Sequence, residues 1–212
     1  MTILDPELTG QHVRLEPLGP QHLPGLVAAS AGDPELFRMS KVPVGDSEVA
    51  RYIDAALSAR DAGTAAPFAV IRLADEAVIG SSRLFDLQWW PWPEGHTRHG
   101  HEGPDTCEIG HTWLTRSAIR TGANTEMKRL MLALAFDTWQ VQSVCFHTDA
   151  RNERSRRALG RIGARYEGIL RSHRLASDDQ PRDSARFAIT AADWPAVRIH
   201  LAELSRERLL AS

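Results

Sequence analysis

Only two cysteines, Cys107 and Cys145, occur in the 212 residues. No CxxC or CxxxC spacing exists, so a disulfide framework is excluded by number and a metal–thiolate site has no support. Both read as small buried strand residues. No stretch approaches the roughly 18 uninterrupted apolar residues that a membrane span needs, so no membrane partner is expected. Charge of one sign is equally scarce: 25 Lys and Arg stand against 27 Asp and Glu, a net −2 with His neutral. That balance leaves no positive excess to neutralise a phosphate backbone, which argues against direct nucleic-acid binding driven by bulk charge. The opening residues Met1 to Pro6 lack a basic stretch followed by an apolar core, so no secretory signal is read there. A reduced, cytoplasmic protein is the expectation.

What is present is an ordinary globular composition, 42% hydrophobic and 25% charged. A chain of this length buries roughly 70% of its unfolded surface and needs no metal or disulfide staple. Residues 12–18 alternate polar and apolar, as a half-buried strand does. Two helical stretches follow, one opened by Pro20 and one after Asp46-Ser47, closed by Gly63. Residues 68–73 and 77–85 form a hairpin pattern around the turn at Asp75-Glu76. Strand signal returns at 106–114. Met127, Leu130, Met131, Leu134 and Ala135 then fall at i, i+3, i+4, i+7, i+8, an apolar helical stripe over 125–139 from which Lys128, Arg129 and Asp137 are expected to point away. A strand at 141–148, a short basic helix capped by Asn152, strands at about 165–175 and 182–190, and a helix from near Asp193 complete the order. There are no repeats or low-complexity tracts. The pattern is one mixed α/β domain over residues 1–212, with a core at about 10–200 and a loop insertion at about 88–105.

Two junctions carry candidate chemistry. The first runs from strand 106–114 through a loop at 115–124 into a helix. Unpaired N–H groups and the positive end of the helix dipole make such a junction an anion site. Gly122 lets the backbone approach a phosphate, and Arg116 and Arg120 add charge beside it. A plain strand-to-helix turn with solvated arginines explains the same residues. The second junction leaves strand 141–148 at Asp149 and enters a helix carrying Arg151, Arg154, Arg156, Arg157 and Arg161, which either pair with phosphates or solvate a helix face. Together the junctions suggest a groove for an elongated phosphorylated ligand.

At this point the chain resembles a family. Glu108-Ile109-Gly110-His111-Thr112-Trp113-Leu114, Thr121-Gly122-Ala123-Asn124-Thr125-Glu126, Thr148 to Ser155, Gly163-Ala164 and Glu167-Gly168 are similar to the GNAT acyltransferases. The branch is the one containing the ribosomal-protein N-terminal (RimJ/RimL-type) acetyltransferases. The resemblance implies a central mixed, mostly antiparallel twisted sheet of about seven strands. It would carry helices on both faces and a splay between the two strands flanking the cofactor. Acetyl-CoA is the implied cosubstrate, with no metal. The backbone near Trp113 and Leu114 would bind the pantetheine arm as an added strand. The amides of Arg120, Thr121, Gly122, Ala123, Asn124 and Thr125 would hold the pyrophosphate, with Asn152 and Ser155 facing the thioester end. The loop departs from the family pattern at Ile119 and at Asn124, which must then tolerate a conformation that glycine makes easy.

The implied reaction is attack of a neutral amine on the acetyl carbonyl. A free α-amine with a pKa near 8 is already about one-tenth neutral at pH 7, whereas a lysine is deprotonated only about once in a few thousand. Glu108 is the expected base, read as facing the cleft; its alternative is a buried carboxylate tied to backbone or arginine. Many relatives place a tyrosine seven residues after the Asn, where this chain has Leu159, so Ser155 becomes the candidate acid and Tyr166 an outside one. His111 is a candidate that a structural role explains as well. Trp89 and Trp90 either grip an acceptor or cover a core edge or a homodimer interface. His96, His99 and His101 lack the partners of a metal site. The acceptor is read as a protein or peptide N-terminus, with a small amine or a non-catalytic CoA-binding module as the alternatives.

Overall fold

A computed structural model describes residues 4–32 and 34–209, with side chains described to residue 205. The opening residues 1–3, part of the segment read for a secretory signal, lie outside it. Eight strands form one sheet: β1 (Leu8–Thr9), β2 (Val13–Pro17), β3 (Ala65–Arg72), β4 (Ala77–Gln88), β5 (Thr106–Leu114), β6 (Ser143–Asp149), β7 (Arg165–Leu175) and β8 (Pro181–Thr190). Their order is β1-β2-β3-β4-β5-β6-β8-β7. Every pairing is antiparallel except β5 with β6. The helices are α1 (Leu23–Ser30), α2 (Pro34–Phe37), α3 (Gly45–Asp61), α4 (Ala123–Ala133), α5 (Glu153–Arg161) and α6 (Trp194–Leu209). Seven strands match the sequence reading; β1 and α2 do not, being too short to show a period.

Period-2 alternation in β3 sends its side chains to two cores. Ala66, Phe68 and Val70 join Met127, Met131 and Ala135 of α4 on one face. Ala69 and Ile71 meet Leu26 of α1 and Val49, Ile53 and Ala56 of α3 on the other. Helix α4 begins two residues earlier than its apolar stripe suggests and passes into a π-helical turn at Leu134–Thr138. Glu126, in its first turn, is 2% exposed, and its carboxylate accepts hydrogen bonds from the N–H groups of Gln11, His12 and Val13 at 2.7, 2.7 and 2.9 Å. A buried carboxylate is here satisfied by three consecutive amides at the entry to β2, which ties that strand to the helix. Among the described residues no helix is long and apolar enough to cross a membrane.

Candidate active site

Strand β5 separates from β6 just beyond Glu108. Their parallel pairing runs only through Thr106, Cys107 and Glu108, so the later residues of β5 turn an unpaired backbone edge toward β6. On its other side β5 stays paired with β4 as far as Leu114, with a bulge: Gly110 opposes Arg83, and Trp113 opposes Ser81. The bulge puts His111 at φ +49 and re-aims its side chain. Close approach of β4 depends on Gly80, where an added Cβ would lie 2.0 Å from the Trp113 carbonyl oxygen.

Beyond β5 the chain makes a short 3₁₀ turn at Arg116–Ala118 and enters α4. Gly122 is its N-cap at φ +97, and Arg120 also has positive φ, at +66. Asn124 lies inside α4, so the expected strain at that position is not there; the left-handed conformations fall on Arg120 and Gly122 instead. Thr121 donates its hydroxyl to the Ala118 carbonyl at 2.8 Å and fastens the turn. At the second junction the Asn152 side chain accepts from the Ser155 N–H at 3.0 Å, as an N-cap does. The arginines there are engaged by the protein: Arg151 with Asp149, Arg154 with the Leu36 carbonyl, Arg156 with the Ala150 carbonyl, Arg157 with Glu153, and Arg161 with Thr125 in the first turn of α4.

The face of the sheet that carries α3 holds a pocket of about 370 Å³, lined by Thr64, Arg83, Phe85, Asp86, His111 and Arg174 among others. Glu108 does not open onto it. The side chain is fully buried, and both carboxylate oxygens accept from the Arg174 guanidinium, at 2.9 and 2.7 Å. His147 Nδ1 lies 2.9 Å from Glu108 Oε2, although neither ring nitrogen completes a hydrogen bond. Burial alone would raise the Glu108 carboxyl; His147 and Arg174 offset this and hold it below the usual carboxylate range. Arg174 reaches Glu108 because β7 slips register between Leu170 and Arg174, with Ser172 at φ +47.

Two more groups were not legible as site residues. Arg174 is 66 residues from Glu108, with no local signal. Lys128 does not point away from the core as expected: it is buried, donates to Thr112 Oγ1 at 3.0 Å and lies 5.5 Å from the Phe146 ring centre. Burial pushes its ammonium down to about 7. A signal existed, since 128 stands three residues before Met131 and seven before Ala135 on the same helical stripe. His111, exposed on the pocket wall and 4.9 Å from the Phe85 ring, is pushed down to about 4 by desolvation within the pocket, with Arg83 adding to the effect.

Trp89 and Trp90 are exposed and are not part of the pocket lining. Their loop is folded around Asp105, whose carboxylate accepts from Trp90 N–H, Trp92 Nε1 and Arg98 Nε at 2.7, 2.8 and 3.1 Å. Glu108, Cys145 and His147 bring three metal-ligating atoms within 4.8 Å of one another. Arg174 already occupies the carboxylate, and burial raises the Cys145 thiol to about 12, which keeps that sulfur protonated.

A model of the acetyltransferase (GNAT) domain matches residues 12–165. The chain belongs to the GNAT acetyltransferase family. Solved structures agree with this. A GCN5-related N-acetyltransferase from Brucella melitensis is 27% identical, with a TM-score of 0.78 over 94% of this chain and 85% of that one. A T. thermophilus protein described as an acetyltransferase is 31% identical, with a TM-score of 0.76 over 96% and 98%. Mycobacterium smegmatis RimJ in complex with CoA-disulfide shares the fold at 19% identity, with a TM-score of 0.75 over 92% and 90%. No curated protein matches.

Proposed function

We propose that this acetyltransferase transfers the acetyl group of acetyl-CoA to a primary amine, with a protein or peptide N-terminus as the acceptor and a small amine as the alternative. The observation that carries the reading is the position of His111. It sits where β5 leaves β6, so the open strand edge and the 370 Å³ pocket meet at one residue. The residues present suit the cosubstrate. The unpaired backbone edge at Trp113 and Leu114 would take the amides of a pantetheine arm. The N–H groups of Arg120 to Thr125, opened by Gly122, would take a pyrophosphate. Asn152 and Ser155 stand at the neighbouring helix end. No metal enters this reading.

Acetyl-CoA, when bound, supplies a thioester carbonyl open to an amine and a thiolate that leaves with one proton. In our reading Glu108 is held by Arg174 and serves to position that arginine in the pocket wall. His111 stays neutral at physiological pH and accepts a hydrogen bond from an acceptor amine that is itself already partly neutral. Ser155 would donate its hydroxyl to the sulfur end. Trp89 and Trp90, outside the pocket, would touch only an acceptor that extends beyond it, as a peptide does.

Release of free thiol from acetyl-CoA in the presence of a panel of peptides and amines tests the reading. Turnover with none of them, alongside tight CoA binding, would leave only a binding module. Gly122→Val is expected to raise KM for acetyl-CoA at least tenfold while leaving KM for the acceptor alone, because a β-branched residue at φ +97 costs about 1–2 kcal/mol and crowds the phosphate approach. His111→Ala and Ser155→Ala are each expected to lower kcat roughly 10- to 100-fold. Steady-state rates within twofold of wild type would remove the residue concerned from the mechanism.

A further inference from the structure

The charge pattern of the pocket specifies more of its acceptor than an amine. Arg83 is 7% exposed and lines the pocket. Its Nε is buried without a hydrogen-bond partner. No ion pair or hydrogen bond engages it among the described residues; its one close partner is the Tyr52 ring, 4.8 Å from the guanidinium carbon. That ring is itself fixed, since Tyr52 donates to Ser81 Oγ at 2.9 Å and Ser81 donates to the Phe68 carbonyl at 2.8 Å. A cation–π contact offsets only part of the cost of desolvating a guanidinium. Buried arginines are normally matched by a carboxylate, and Arg174, on the same pocket wall, is matched by Glu108. Arg83 differs in having no such partner.

The rest of the lining sets what an entering anion must be attached to. Asp86, the exposed carboxylate of the wall, lies beyond Arg83 on the same strand, at φ +52, where β4 slips register between Phe85 and Gln88. His111 carries no charge at neutral pH. With Glu108 cancelling Arg174, the wall presents one positive and one negative group around a volume of about 370 Å³, at the small end of ligand sites. That complements an amine with a carboxylate a few bonds away.

We infer that the acceptor is an amine bearing its own carboxylate, which Arg83 binds while the amine faces His111 and Asp86. The inference rests on the acetyltransferase reading for the direction of the amine and deepens it. Two sources share the chemistry: a free amino acid, and a peptide with Asp or Glu at its amino end.

Matched acceptor pairs test it: an amino acid against its amide, and a peptide beginning with Glu against one beginning with Gln. Wild-type enzyme is expected to favour the carboxylate member of at least one pair by about 30-fold in kcat/KM, as a charge-assisted hydrogen bond allows. The pair showing the preference identifies the source. Arg83→Met, which keeps the stem over Tyr52, should reduce the ratio to within threefold, and Arg83→Lys should keep part of it. Turnover without preference in wild type overturns the inference and leaves the acetyltransferase reading intact. Calorimetry with the N-acetylated products separates the two if no acceptor turns over. Carboxylate-dependent binding that Arg83→Met abolishes would uphold the site while the enzymatic reading fails, and no such binding would sink the inference.

Discussion

Arg174→Ala should lower stability at pH 7 by about 3 kcal/mol, a substantial fraction of what holds a domain of this size together. The variant leaves the fully buried Glu108 carboxylate without the guanidinium that binds both its oxygens. The low end of the usual 3–5 kcal/mol range applies because Arg174 keeps 34% of its side chain exposed, and solvent already screens part of the pair. The pH dependence follows in sign. In the wild type the Glu108 carboxyl sits below its unfolded value, so the pair contributes stability above that value and loses it as pH falls through the folded one. In the variant burial acts with much less compensation, the carboxyl rises, and the protein tolerates acid better. The gap between the two should therefore narrow as pH drops from 7 toward 4. Denaturant midpoints across that range measure it, and Glu108→Gln in the Arg174→Ala background should recover part of the loss. A cost below about 1 kcal/mol, or one independent of pH, would show that Glu108 does not depend on Arg174.

Lys128→Met should act in the opposite direction and stabilise the protein. The ammonium is buried beneath the splay, with Thr112 and the Phe146 ring for partners, and its pKa falls from 10.5 to about 7. Since the folded value lies below the unfolded one, the unfolded chain binds more protons between those limits, and wild-type stability rises with pH over that window. Below about pH 7 the full cost is present, on the order of 5 kcal/mol by the size of the shift. A methionine of similar length removes the charge and keeps the packing. Thermal unfolding at pH 6 should show a raised Tm, and the rise in stability from pH 7 to 10 should flatten. An unchanged Tm with the slope retained would place the charge in water. If turnover falls while stability rises, the buried cation serves the site at the expense of the fold.

Local patterns carried much of this molecule. The strand read at 12–18 from its alternation is there as Val13–Pro17, with Val13 and Leu15 buried, because a strand half-buried in a sheet must alternate. Asn152 caps its helix as its residue type predicts, since its side chain needs only an amide three residues away. The left-handed conformation before α4 falls on Gly122, whereas the sequence reading had put the demanding conformation at Asn124. The sequence also marked Glu108, but it could not show which of its two roles geometry would allow.

That choice belonged to the tertiary structure. Arg174, brought in by a register slip in β7, decides that Glu108 is a held carboxylate. The bulge in β5 decides that His111 faces the pocket, and the packing of α4 decides that Lys128 lies beneath the splay. The charge of Arg83 is plain in the chain, yet only the absence of a carboxylate partner around it among the described residues makes it informative. By itself the sequence determined the family, the order of the longer elements and the glycine-containing turn into α4, because each rests on patterns a few residues long. The state of each site charge was settled by folding, because burial and pairing are properties of distant segments brought into contact.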